Sequence, residues 1–251
     1  MIHSFLLIGQ SNMAGRGDIK EALPIDTEHI KVLRNGRWQP MFRPVNPDRA
    51  FSGVNLAESF AEAYARKYKV DVGLIPCADG GTCLEQWSEG SLLYDNAVNQ
   101  ARLAARTSTI AGVLWHQGES DCADGLRDTY CKRFEKIMQA FRRDLSLYDV
   151  PFVLGGLGTF LGKCKDEDDP WVKYYPQINI ELQKVVERNE RTIFVSANGL
   201  TGKEDNLHFD AKSLYEFGLR YFEAFEKIKD LSKIFVEKNE SDIICSHLEK
   251  L

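Results

Sequence analysis

The chain has 251 residues, 43% of them hydrophobic and 27% charged, with a formal net charge of -5. That is enough for one sizeable core, and with no Pro/Ser-rich linker in view residues 1–251 read as a single domain. The acidic balance and the lack of a basic stripe argue against a nucleic-acid binder, and no apolar run reaches the ~18 residues that span a bilayer.

The chain opens on an apolar run, Ser4 to Ile8, that predicts a strand. It is too short for a signal-peptide core and has neither a basic region before it nor a small-residue cleavage site after it, which predicts a cytoplasmic protein. Leu56 to Tyr68 follows with helical spacing, Leu56, Phe60, Ala63, Tyr64 and Tyr68 sharing one face. Val70 to Pro76 predicts the next strand, Leu92 to Arg106 a helix, and Ile110 to His116 a third strand. Asp124 to Leu147 predicts a helix, Val150 to Leu157 a strand, Tyr174 to Asn189 a helix and Thr192 to Ala197 a strand. The closing helix, Ala211 to Lys229, carries Leu214, Phe217, Tyr221, Phe225 and Ile228 along one stripe, with Asp210 placed to cap its start. The tail, Leu231 to Leu251, shows no clear period and is not placed.

Continuous apolarity and β-branched content suit strands buried on both faces. Alternation of such strands with helices predicts a parallel sheet covered on both sides, joined by right-handed crossovers. All strand C-terminal ends then lie along one edge, where open α/β sheets place their ligands. The polar segments follow those ends: Ser11 after the first strand, Gly80-Gly81 after the second, His116-Gln117 at the end of the third.

Ser11 is the candidate nucleophile, against the plainer reading of a capping serine at a strand–helix turn. Serine is weak without a general base, and His208, three residues after Asp205, supplies a candidate. On one turn of backbone the carboxylate can accept from imidazole Nδ1–H and leave Nε2 for the serine. Such a pair can also be purely structural. Gly9, Gly15 and Gly17 permit close backbone approach but form neither a Walker loop nor a Gly-x-Gly-x-x-Gly fingerprint. The Gly-x-Ser-x-Gly elbow also fails, because Met13 stands at its second glycine. Gly80-Gly81-Thr82 is either a turn or a source of backbone N–H for a developing oxyanion. Gln117 is a candidate amide donor to the same oxyanion, while Glu119, Asp121 and His116 read first as supports. Lys163 to Asp169 reads as a solvated loop. Cys77, Cys83, Cys122, Cys131, Cys164 and Cys245 form no Cys-x-x-Cys pair, which points to free thiols. Five scattered histidines give a zinc site little support.

Four segments together resemble the SGNH (GDSL-like) hydrolase superfamily, and within it the carbohydrate-esterase branch of sialate O-acetylesterases and acetylxylan esterases. They are Gly9-Gln10-Ser11-Asn12-Met13-Ala14-Gly15, Gly80-Gly81-Thr82-Cys83-Leu84-Glu85-Gln86-Trp87, Trp115-His116-Gln117-Gly118-Glu119-Ser120-Asp121 and Asp205-Asn206-Leu207-His208-Phe209. The resemblance implies a flavodoxin-like three-layer α/β/α sandwich with a five-stranded parallel sheet, and hydrolysis of O-acetyl groups on sugars. It implies Ser11 as nucleophile, His208 as base and Asp205 as orienting acid. The oxyanion hole it implies is the N–H of Ser11, the N–H of Gly81 and the side chain of Gln117, supported by Gln10, Asn12, Gly80, His116 and Glu119. Cys83 departs from the pattern, standing where a serine is common. The expected substrate is a small-molecule or oligosaccharide acetyl ester, with no metal, cofactor, nucleic-acid or membrane partner. The absence of a visible secretion signal suits deacetylation of imported oligosaccharides. Trp87, Phe160, Trp171 and Tyr174 are candidates for an aromatic platform under a sugar, against the plainer expectation of packing. The loop from Phe160 to Tyr175 is a candidate for shaping specificity. The rival readings are a short-acyl lipase or thioesterase on the same fold, a catalytically silent carbohydrate-binding protein, and a phosphate-loop protein, the last weakened by the missing lysine.

Overall fold

The protein is described from a computed structural model covering residues 1–163 and 168–228. The tail from Leu231, Cys164, Cys245 and part of the Lys163–Asp169 stretch lie outside the described residues.

Seven strands form one sheet in the order β3-β2-β4-β1-β5-β6-β7. The central strand, β1 (Ile2–Gly9), is buried along nearly its whole length. Such a strand needs apolar side chains on both pleat faces, which is why Phe5, Leu6, Leu7 and Ile8 run without alternation. Five strands, β1, β4 (Asp71–Pro76), β5 (Thr109–His116), β6 (Phe152–Gly155) and β7 (Thr192–Val195), fall where the sequence predicts them. The expected count of five is corrected to seven by β2 (Ile30–Arg34), parallel to β4, and β3 (Arg37–Pro40), antiparallel to β2. Their Lys, Arg and Gln residues suit a half-buried margin rather than a core strand, so no apolar run marks them. One signal does: Asn35 and Gly36, both at positive φ (50° and 75°), form the two-residue turn that Asn-Gly favours in hairpins.

The short α1 (Ser11–Ala14) follows β1, and α2 (Ala57–Tyr68) and α3 (Leu92–Ala104) match their predicted spans closely. The predicted helix from Asp124 begins later, as α4 (Tyr130–Asp144), behind a tight 3-10 turn at Arg127–Thr129. The helix predicted from Tyr174 begins earlier, as α5 (Pro170–Arg188). Pro170 is tolerated at its first position because the N–H there has no intrahelical partner to lose. In α6 (Ala211–Ile228), Asp210 caps the start as expected, its Oδ1 accepting from Ser213 N at 2.7 Å.

Successive residues of β5 point to opposite faces, and their neighbours identify the two layers. Trp115 meets Phe134 of α4 at 4.7 Å between ring centroids, and α4 meets α3 through Phe141 and Tyr94. His116 meets Phe217 of α6 at 5.7 Å, and α6 packs beside α2. On that second face Phe5 sits edge-on to Phe60, Tyr64 and Phe225 at 4.8, 4.9 and 5.7 Å. No helix among the described residues is long and apolar enough to cross a membrane.

Gly218 lets α6 approach α2 closely: a Cβ there would lie 2.0 Å from Leu56 O and 2.1 Å from Ser59 Oγ. A backbone carbonyl cannot yield as a flexible side chain can, so Gly218→Ala must push the helices apart. We expect a loss of about 3 kcal/mol of stability, measured by urea unfolding; a loss below about 0.5 kcal/mol, the size of an ordinary surface change, refutes this account of the contact.

Candidate active site

The end of β1 fixes the first site residue. Gly9 pairs in register with His116 at the end of β5, and Gln10 N donates to His116 O at 2.9 Å. Gly9 adopts φ +133°, and a Cβ there would fall 2.1 Å from His116 O, so only glycine permits this approach. The chain then turns directly into α1, putting Ser11 at its first position, where the N–H has no intrahelical acceptor.

His208 lies on the loop between β7 and α6. Asp205 builds this loop: its Oδ1 accepts from the N–H groups of Leu207 and His208, each at 2.9 Å, and its Oδ2 lies 2.8 Å from His208 Nδ1. His208 Nε2 is 3.1 Å from Ser11 Oγ. Burial alone would raise the Asp205 pKa, but the hydrogen bonds from the His208 backbone and ring and from Leu207 N outweigh it and hold the carboxyl below its ordinary value. An ionised Asp205 accepting from Nδ1–H leaves the Nε2 lone pair facing the serine hydroxyl.

Asn12 holds this geometry from the other side. Its Nδ2 donates to Leu207 O at 3.2 Å and its Oδ1 accepts from Phe209 N at 3.1 Å, gripping the backbone on both sides of His208. The same Nδ2 donates to Glu119 Oε1 at 2.6 Å. Glu119, though buried, also borders the cleft.

The donors beside Ser11 differ from expectation at one point. Gly81 is exposed at φ +78°, and its N–H has no partner among the described residues. Gln117 is fully buried and donates both amide hydrogens, to Thr82 O at 3.1 Å and Asp121 Oδ2 at 2.6 Å, while its Oε1 accepts from Tyr130 OH. It braces two loops and does not line the cleft. Gln10 does line it: Oε1 accepts from Gly118 N and Ser120 N at 3.3 and 3.4 Å, leaving Nε2 without a partner among the described residues. His116 does not border the cleft. It is buried, bonded through Nε2 to Gly156 O at 3.2 Å, and burial lowers its pKa and favours the neutral ring.

Sequence reasoning missed the wall formed by Arg16, Arg49 and Phe51, which Asp48 braces through Arg16. Arg16 and Asp48 are paired by two hydrogen bonds, at 2.9 and 2.7 Å, with side chains only 3% and 4% exposed. Asp48 Oδ2 also accepts from Gly80 N at 2.9 Å and so fixes the glycine turn. Residues 41–55 carry little periodic signal, which hid Asp48, Arg49 and Phe51 from the sequence. The cleft this wall frames has a volume of about 450 Å³. Of the four candidate platform aromatics only Trp171 borders it. Trp87 is fully buried with Nε1 bonded to Thr82 Oγ1, Phe160 packs on Phe209 at 4.9 Å, and Tyr174 lies under Arg127 at 3.7 Å. Phe51, 70% exposed, borders the cleft instead. Cys77, Cys83, Cys122 and Cys131 are free, and burial raises the Cys77 thiol to about 12. Among the described residues no group of three or more His, Cys, Asp or Glu side chains could hold a metal ion.

This mostly parallel α/β sandwich is a fold shared with a putative GDSL-like lipase from Parabacteroides merdae, with a TM-score of 0.57 and 14% identity over 90% of this chain and 95% of that one. The chain's structure resembles that of the Arabidopsis thaliana protein At4g34215, with a TM-score of 0.79 and 27% identity over 90% of this chain and 98% of that one. That protein, described as a probable carbohydrate esterase, is 30% identical over 248 residues, 88% of this chain and 89% of its own length. The fold also matches that of NanS, with a TM-score of 0.70 and 18% identity over 90% and 97% of the two chains. A family model described as carbohydrate esterase, sialic acid-specific acetylesterase matches residues 1–227. The chain belongs to that family and is a carboxylic ester hydrolase.

The buried Arg16–Asp48 pair carries a pH signature. Burial by itself raises the Asp48 pKa, but Arg16, Ser52 and Gly80 N together bring it below the ordinary value. A carboxyl with a lowered folded pKa stabilises the fold above its unfolded value of about 3.9 and loses that contribution as the pH falls through the lower folded value. We therefore expect Asp48→Asn to cost about 3 kcal/mol at neutral pH and to flatten the decline in melting temperature on acidification. An acid limb as steep as wild type would show that other carboxylates govern it.

Asn12→Ala strips acceptor and donor from the backbone around His208. A loss of about 2 kcal/mol is expected, the scale of buried polar groups left unpaired, measured by denaturant unfolding beside ester hydrolysis. Wild-type values in both assays would refute the clamp.

Proposed function

We propose that the chain is a serine esterase that removes O-acetyl groups from carbohydrates through an acetyl-enzyme intermediate. The observation that carries this reading is the line Asp205 Oδ2–His208 Nδ1–His208 Nε2–Ser11 Oγ, at 2.8 and 3.1 Å, at the open edge of the sheet. The family supplies the ester and carbohydrate chemistry.

Ser11 Oγ attacks the acetyl carbonyl carbon as His208 Nε2 takes its proton. Asp205, already ionised, stabilises the imidazolium and holds its orientation. The carbonyl oxygen becomes an oxyanion that accepts from Ser11 N, Gly81 N and Gln10 Nε2. Gln10 takes the donor role expected of Gln117, because its acceptor atom is anchored and its amide hydrogens have no partner among the described residues. Collapse of the tetrahedral intermediate breaks the bond to the sugar oxygen, which leaves with the proton from His208. Water, deprotonated by the same imidazole, then attacks the acetyl-enzyme; the bond from the acetyl carbon to Ser11 Oγ breaks, that oxygen takes back the proton from His208, and acetate leaves. The polar wall of Arg16, Arg49 and Glu119 beside the rings of Phe51 and Trp171 suits a sugar, which offers hydroxyls around its rim and C–H groups on its face.

The test is hydrolysis of 4-nitrophenyl acetate, butyrate and octanoate by wild type and Ser11→Ala. Acetate turnover should dominate, and Ser11→Ala should lower kcat by at least about 10⁴-fold. Equal rates in the two proteins would remove Ser11 as nucleophile, and preferred octanoate turnover would favour a lipase.

Gln10→Glu keeps the acceptor for Gly118 N and Ser120 N but removes the amide donor. A fall in kcat of about 10²- to 10³-fold is expected, with the melting temperature nearly unchanged. A kcat near wild type would overturn Gln10 as an oxyanion donor.

A further inference from the structure

A second cavity of about 410 Å³ lies directly across Gly80 and Gly81 from the cleft that holds Ser11. The two cavities share Arg49, Gly80 and Gly81 along their border. Neither glycine carries a side chain to wall them apart, and even a Cβ built on Gly81 would meet nothing within 4 Å. The far side of the second cavity is formed by Gln86 and Ser91 and by Leu92 and Leu93 at the start of α3.

The lining chemistry is specific. Its charged side chains, Arg49 and Asp79, are paired with each other at 2.7 Å, so the groove offers no unmatched charge. Polar capacity nevertheless remains. Gln86 Oε1 accepts from Cys83 N, which leaves Gln86 Nε2 as a donor, and Asp79 uses Oδ1 for Arg49, which leaves Oδ2 as an acceptor. Beside them Leu92 is 85% exposed, a large apolar side chain held in the open on a rigid helix. An acyl chain would leave the donor and acceptor unpaired, at a cost. An anionic sugar would bring a charge with no free cation to meet it. A neutral pyranose satisfies all three: hydroxyls for Gln86 and Asp79, and a C–H face for Leu92.

We propose that this groove is a subsite for a second, neutral sugar ring of the leaving group, so that the preferred substrate is an acetylated neutral oligosaccharide rather than a monosaccharide. The proposal rests on the acetylesterase reading above and adds to it the size and charge of the substrate. Binding energy from the remote ring raises kcat/KM because that ring helps hold the ester against Ser11.

The experiment compares matched one-ring and three-ring monoacetates, of xylose and xylotriose and of mannose and mannotriose, with 4-nitrophenyl acetate as the ring-free reference. O-acetyl sialic acid is run alongside. Wild type should favour the three-ring over the one-ring ester by about tenfold in kcat/KM. Gln86→Ala and Leu92→Asp, both at exposed positions, should remove most of that preference while leaving 4-nitrophenyl acetate within about twofold of wild type. An aspartate at position 92 sits in the first turn of α3, where the helix dipole favours it, so the fold is retained. Sugar-acetate turnover with no dependence on ring number, or variants that lower one-ring and three-ring esters equally, overturns the subsite alone. Turnover confined to O-acetyl sialic acid overturns the neutral-ring assignment. Hydrolysis of 4-nitrophenyl acetate with no turnover of any sugar acetate overturns the carbohydrate reading and the subsite with it.

Discussion

The parallel pairing of β1 with β5, ending at Gly9 against His116, is the constraint on which the site depends. Because Gly9 has no Cβ, the two strand ends close to hydrogen-bond distance and the chain turns at once into α1. Ser11 and Gln10 thereby reach the same edge as Gly118, Glu119 and Ser120. Gln10 is the clearest product of this closeness. Its carbonyl oxygen is fixed by the backbone after β5, and the fixing leaves its amide hydrogens for the cleft.

Around that junction the polar residues form two networks with different tasks. One runs from Asn12 to Glu119 and to the backbone on either side of His208, coupling the turn that carries Ser11 to the His208 loop. The other runs from Gln117 to Asp121, with Asp121 also accepting from Leu84 N and from Arg133. It ties the β5 loop to the loop after β4 and to α4. Buried polar groups are costly unless partnered, and here the partners lie on different loops, so satisfying them also fixes where the loops sit. The Arg16–Asp48 pair acts similarly on the third side, since the same carboxylate holds Gly80 N.

Much of this was legible in the chain. The five buried strands declared themselves through unbroken apolar runs, because a strand covered on both faces has no polar side to interrupt it. Helices α2, α3 and α6 showed their buried stripes. The Asp205–His208 pair was readable because its geometry is local: a few residues of backbone bring the carboxylate to the ring. The marginal strands β2 and β3 were less visible, since a half-exposed strand tolerates Lys, Arg and Gln; only Asn35-Gly36 betrayed them.

Sequence by itself determined the strand–helix order, the edge at which the motifs emerge and the local pairing of Asp205 with His208, all of which follow from local pattern and from topology. Tertiary structure decided which of two glutamines faces the cleft, because that depends on which acceptors lie within reach of each amide. Gln117 finds Thr82 and Asp121; Gln10 finds none for its hydrogens among the described residues. It also decided that Phe51 and Trp171 border the cleft while Trp87 and Phe160 belong to the core. An aromatic residue reads the same in either setting until its neighbours are known, and those neighbours come from segments far apart in the chain.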